Sequence, residues 1–152
     1  MKFTDFLTKD CCVMELKAST KEDAIRELAS IMAAQGRITD TEDFIKHIFE
    51  RERLGSTGIG NNVAIPHCPT RSVKDLAIGF GRSTRGIDFS SADGKEVKYI
   101  FLMGTNPEQL NVYLKFLAGL SKLLEDQAFR IAFSGARSAD DLITLFRKYE
   151  RD

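Results

Sequence analysis

A chain of 152 residues with 22 basic and 22 acidic side chains has no formal net charge, and its 43% hydrophobic content is enough to bury one sizeable core. The even balance argues against nucleic acid as the main partner, because neutralising phosphates demands a basic surplus. No apolar run reaches the ~20 residues needed to cross a bilayer, and the opening MKFTDFLTKD lacks the apolar centre of a secretory signal, so a soluble, cytoplasmic chain is expected.

An apolar stretch covers residues 12–16. Ser19 and Glu22 then have the spacing of a capping box, in which each side chain satisfies the other's free backbone N–H. The helix predicted to follow carries Ala24, Ile25, Leu28, Ile31 and Met32 on one face and stops at Gly36. Thr39 and Glu42 repeat the start signal for a second helix, which turns Phe44, Ile45, Ile48 and Phe49 inward and runs out near Arg53. Residues 54–62, LGSTGIGNN, have no helical period, and their glycines permit backbone conformations and close approaches closed to other residues. Residues 63–65 predict a short strand ended by Pro66, with further strands at 76–81, weakly at 86–89, and at 97–103. Pro107 suits the first turn of a helix that shows Leu110, Leu114, Leu117 and Leu124 at helical spacing. A short helix follows over residues 127–133. The last helix starts with Ser138 and Asp141 in a capping arrangement and buries Leu142, Leu145, Phe146 and Tyr149. No repeat or linker divides residues 1–152, which read as one α/β domain of mixed α+β character, a central mixed sheet with helices on both faces.

Few residues are available for chemistry. Cys11 and Cys12 are adjacent and Cys68 stands alone, so there is no Cys-x-x-Cys pair, and three buried or half-buried reduced thiols are expected. Of the two histidines, His47 lies well off the centre of its helix's apolar stripe, given ~100° per residue, and reads as a solvated surface side chain. His67 follows a strand, a proline and the glycine-rich segment, and Pro69 comes two residues later. Prolines on both sides stiffen the backbone around it, so His67 is a nucleophile or ligand, or else a satisfied histidine at a loop–core boundary. No partner motif makes it a zinc site, and no metal is expected. Cys68 adjoins it, but neighbours in an extended segment point to opposite sides, which weakens a Cys–His dyad. A P-loop is excluded because no Gly-Lys-Ser/Thr follows the glycines. What remains is an anion site. Gly55, Gly58 and Gly60 can turn N–H groups inward, Ser56 and Thr57 add hydroxyls, and Arg51 arrives from the preceding helix, unless it is one more surface arginine of the run ERER.

The segment at 51–68, RERLGSTGIGNNVAIPHC, closely resembles the active-site signature of the enzyme IIA domains of the bacterial phosphoenolpyruvate-dependent phosphotransferase system, mannitol/fructose class. The likeness extends over nearly the whole chain and includes the helix NVYLKFLAGLSKLLED. STGIGNNVAIPH looks most like the nitrogen-regulatory branch, in which the domain stands alone. The resemblance implies that His67 accepts a phosphoryl group from the phosphocarrier HPr or its nitrogen-branch paralogue, that Arg51 is the active-site arginine, and that the backbone of residues 55–60 lines the pocket. It implies no cofactor. Family members typically carry a second histidine where this chain has Tyr113. A tyrosine can donate a hydrogen bond to a phosphoryl oxygen but cannot become a cation near neutral pH. Tyr113 is otherwise a core aromatic on the face of Leu110, Leu114 and Leu117.

Three functions follow as expectations. The first is a phosphoryl carrier whose charge states bind regulatory target proteins differently. The second is a fructose- or mannitol-specific transport component that passes its phosphoryl group to a separate IIB protein. The third is a binding module that is never phosphorylated.

Overall fold

The computed structural model describes residues 2–150. Its strands are β1 (Cys12–Val13), β2 (Gly58–Gly60), β3 (Val63–Ala64), β4 (His67–Pro69), β5 (Leu76–Ile87) and β6 (Val97–Thr105). They form a mixed sheet in the order β1-β5-β6-β3-β2, with β4 also beside β6. β5 and β6 are antiparallel from Leu76↔Thr105 to Ile87↔Val97, with an irregularity between Arg82 and Ile87. One long strand therefore runs through the first and into the second of the two segments expected at 76–81 and 86–89.

The edge that carries His67 is more ordered than its sequence suggests. β3 and β4 lie end to end along β6 in one parallel register, Val63↔Tyr99, Ala64↔Ile100 and then His67↔Met103. Proline has no N–H to offer the ladder, but the carbonyl of Pro66 still accepts from Met103 N at 2.9 Å. Pro66 thus interrupts a strand rather than ending it, and His67 lies within the sheet. Part of the glycine-rich segment is also a strand, since β2 pairs antiparallel with β3.

Helices α1 (Lys21–Ala34) and α2 (Thr41–Arg53) cover one face, and α3 (Leu110–Glu125), α4 (Gln127–Ser134) and α5 (Ala139–Tyr149) cover the other. Two start signals fall one residue later than expected: Thr20 and Asp40 are the N-caps, accepting from Asp23 N and Asp43 N. The hydroxyl of Thr39 is committed elsewhere, donating to the Ser72 carbonyl at 3.0 Å. Ser138 caps α5 through Asp141 N, the arrangement its spacing predicts.

The inward face of α3 differs from the leucine spacing. Tyr113, Phe116, Leu120 and Leu124 are buried, whereas Leu110 is 41% and Leu114 57% exposed. The buried four recur at helical spacing in a phase rotated from the leucines, and it places the aromatic rings in the core. In α1 the inward set likewise takes Ala29, and Ile31 is only partly buried. In α5, Leu142, Ile143 and Phe146 are buried, and Leu145 and Tyr149 pack at the margin.

Two features seat α2 beside β4. A Cβ on Gly104 would come within 2.5 Å of the Phe44 ring, so only glycine leaves β6 the room that Phe44 fills. Asp43 Oδ2 accepts from Thr70 Oγ1 at 3.1 Å and Ser72 Oγ at 2.5 Å, which ties the first turn of α2 to the segment leaving β4. Among the described residues no helix is long and apolar enough to cross a membrane.

Candidate functional site

His67 Nδ1 lies 2.6 Å from the carbonyl oxygen of Ile65. A carbonyl can only accept, so Nδ1 carries the ring proton and Nε2 keeps its lone pair. Burial pushes the pKa of His67 below its usual 6.5; the Ile65 hydrogen bond opposes this in part, the Arg51 guanidinium adds a smaller push downward, and Glu52 a still smaller one upward. A partly exposed imidazole is thereby held neutral with a defined tautomer, the state in which it is a nucleophile.

That depression has a sign. Between the folded pKa and 6.5 the unfolded chain binds more protons than the folded one, so stability rises with pH across this window and the full penalty applies below it. Removing the titrating ring with His67→Gln is expected to flatten this contribution. As pH falls below 6.5 the urea midpoint of wild type should drop relative to that of His67→Gln.

The last turn of α2 delivers Arg51, whose Nη1 donates to the carbonyl of Gly55 at 2.9 Å. This contact turns the guanidinium toward the loop, within electrostatic reach of both His67 and Tyr113. The loop is internally bonded. Ser56 Oγ donates to the Phe89 carbonyl at 2.5 Å and accepts from Gly58 N at 3.0 Å. Thr57 is buried and donates its hydroxyl and its N–H to Glu52. Gly55 N donates to the Glu52 carbonyl at 3.2 Å. Glycine is required at position 58 because a Cβ there would lie 2.0 Å from Ser91 Oγ, and Gly60 has φ +93°. The hydroxyl protons of Ser56 and Thr57 and the N–H groups of residues 55, 57 and 58 thus already have partners, and the loop is a braced wall with Arg51 as its charged donor.

The Tyr113 ring centroid is 5.5 Å from that of His67. Tyr113 is 4% exposed, and its hydroxyl has no hydrogen-bond partner. Burial, with a smaller effect of Cys68, raises its pKa well above the usual value, so the group is a neutral donor. Strand alternation separates the neighbours as anticipated: His67 faces Tyr113, while Cys68 packs among α1 and α2 with its thiol pushed up to about 12 by burial. His47 is 39% exposed and less free than expected, its Nδ1 meeting the Asp43 carbonyl at 2.8 Å. Among the described residues no group of three or more His, Cys, Asp or Glu could hold a metal ion.

Sequence reasoning missed Glu52 and Lys21. Their pair lies behind the loop, with Nζ to Oε2 at 2.6 Å. The available signal was an acidic residue in the last turn of α2, where the helix dipole disfavours it.

The chain is similar to known proteins over nearly its whole length. The model of the family "Phosphoenolpyruvate-dependent sugar phosphotransferase system, EIIA 2" matches residues 5–149. The chain is 34% identical over 151 residues to the fructose-specific EIIABC component of Bacillus subtilis, covering 99% of this chain but only 24% of that protein. It therefore spans about a quarter of that relative's length. It is 32% identical over 146 residues to the nitrogen regulatory protein of Bradyrhizobium diazoefficiens, covering 95% of this chain and 94% of the relative. The crystal structure of nitrogen regulatory protein IIA-Ntr from Neisseria meningitidis superposes with a TM-score of 0.87 at 25% identity, over 93% of this chain and 97% of that one. A helix-flanked mixed sheet with an Ala-Ile-Pro-His strand at its edge, matched by the family model from residue 5 to residue 149, makes this chain a member of the EIIA 2 family of the phosphoenolpyruvate-dependent phosphotransferase system.

Proposed function

We propose that residues 1–152 form one phosphoryl-carrier domain that takes its phosphoryl group on His67 Nε2 from HPr or its nitrogen-branch paralogue. The observation that carries this reading is the Nδ1–Ile65 hydrogen bond, which leaves Nε2 as the free nucleophile. The Nε2 lone pair forms the new N–P bond while the donor's N–P bond breaks, its electron pair returning to the donor imidazole. His67 keeps its Nδ1 proton, and the Ile65 carbonyl stabilises the charge that develops on the ring. Arg51 neutralises the phosphoryl oxygens of a loose transition state, and residues 55–60 hold Arg51 in place. Exposed Leu54 and Ile59 on the loop and Leu110 and Leu114 beside Tyr113 give the surroundings the apolar character of a surface that meets another protein. Incubation with phosphoenolpyruvate, enzyme I and HPr should give an acid-labile label. Its absence under conditions that label an ordinary IIA domain would favour the never-phosphorylated binding module.

We read the carrier as regulatory first, in line with the relatives named nitrogen regulatory proteins at nearly full coverage. A phosphoryl group adds close to two negative charges, and a chain with 22 charges of each sign has no large field to mask that change from a target protein. The second reading, a sugar-specific component serving a separate IIB protein, draws on the 34% identity to the fructose-specific relative. Rapid transfer from the labelled protein to a fructose-type IIB would favour transport. Slow or no transfer would favour regulation.

Tyr113 has a role in this reading. A phosphoryl group on Nε2 supplies the acceptor that its buried hydroxyl lacks. A buried hydroxyl without a partner costs about 1–3 kcal/mol, so Tyr113→Phe should raise the melting temperature of the unphosphorylated protein while hastening loss of the label. A melting temperature that falls with unchanged label decay would make Tyr113 a packing residue only.

A further inference from the structure

Behind the loop lies a charged cluster that the proposed transfer does not itself use. Glu52 is only 8% exposed and stands in the last turn of α2, a position where burial and the helix dipole both disfavour a carboxylate. It is nonetheless fully engaged. Lys21 Nζ, at the first position of α1, lies 2.6 Å from its Oε2, and Thr57 gives it both hydroxyl and N–H. The same ammonium sits 5.2 Å from the centroid of Phe89, whose carbonyl receives the Ser56 hydroxyl. Ser56 and Thr57 are thus each tied down through one cluster, and the residue before them, Gly55, supplies the carbonyl that Arg51 Nη1 grips.

We infer that Glu52, neutralised by Lys21, is a positioning residue that fixes the loop through Thr57 and so aims the Arg51 guanidinium at His67. The inference rests on the phosphoryl-acceptor reading of His67. The cluster reaches that residue electrically as well as mechanically. The charged groups of α2 that act on the imidazole are Arg51 and Glu52, Tyr113 faces it from α3, and Lys21 and Glu22 of α1 and Arg53 of α2 line one cleft with Glu52. Loosening Arg51 removes an influence that disfavours protonation of His67. Exposing the Glu52 charge adds one that favours it.

The test uses Thr57→Val, which removes the hydroxyl without leaving a buried charge unpaired, together with Lys21→Met and the conservative Lys21→Arg. Two readouts are taken: the rate of labelling from phosphoenolpyruvate, enzyme I and HPr, and the His67 titration followed by NMR. Misplacing a positioned group by even ~1 Å costs up to about a hundredfold, so Thr57→Val and Lys21→Met should each label about tenfold more slowly or worse. Both should titrate His67 at higher pH than wild type, and Lys21→Arg should recover most of both properties. Lys21→Met can fail to fold, since it strands a buried carboxylate, and Thr57→Val then decides. Folded Thr57→Val with wild-type labelling and titration would overturn the inference. A wild-type protein that takes no label would overturn the acceptor reading instead. The NMR titration would still judge the cluster, an unchanged His67 midpoint in Thr57→Val contradicting it.

Discussion

His67→Gln is expected to take no acid-labile phosphoryl label while keeping the fold. His67 lies in β4, in register with Met103, and the backbone bonds of that ladder do not depend on its side chain. Glutamine can still direct its amide N–H toward the Ile65 carbonyl, which now accepts from Nδ1 at 2.6 Å. What it lacks is a nitrogen with an available lone pair, because the amide nitrogen is delocalised into its carbonyl. The variant should melt cooperatively, co-elute with wild type and remain unlabelled. Label of equal acid lability in the variant would move the acceptor to another residue, and His47 would be the first to examine.

The second large effect is expected at Arg51. Removing one pre-aimed electrostatic donor from a transfer site costs typically 10²–10³-fold in rate, and Arg51→Ala should slow labelling by about that factor. The guanidinium spends one N–H on the Gly55 carbonyl and has others left for phosphoryl oxygens. Arg51→Lys should recover only part of the loss, because a compact ammonium cannot hold Gly55 and grip two oxygens in one plane. Arg51→Ala should also move the His67 titration upward, since Arg51 is one of the two influences that hold it low. A variant with lost rate but an unmoved titration would place Arg51 at the partner surface rather than at the imidazole.

The sequence carried the helices, the capping of α5 and most of the long strands because each is written in local patterns: apolar periodicity, a serine three residues before an aspartate, runs of β-branched and aromatic residues. Contacts between distant segments were not legible. The leucines of α3 suggested one face, but the sheet already presents Phe80 and Phe101, and it is Tyr113 and Phe116 with their aromatic rings that turn toward it. Pro66 signalled the end of a strand. Only the register with Met103 reveals that the strand resumes and carries His67 within it. Ser56 and Thr57 read as anion donors from composition, yet their hydroxyl protons go to the Phe89 carbonyl and the Glu52 carboxylate. Glu52 and Lys21 lie 31 positions apart on two helices, and no spacing rule connects them.

In the transfer proposed above a single nitrogen decides: the Ile65 carbonyl holds the proton on Nδ1, and Nε2 of His67 is the proposed phosphoryl acceptor. Heteronuclear NMR of protein carrying nitrogen-15 in its histidines reads this directly, before and after incubation with phosphoenolpyruvate, enzyme I and HPr. The predicted result is an Nδ1–H tautomer for His67 in the free protein and phosphorus coupling to Nε2 in the labelled one. An Nε2–H tautomer, or a phosphoryl group on Nδ1, would contradict it.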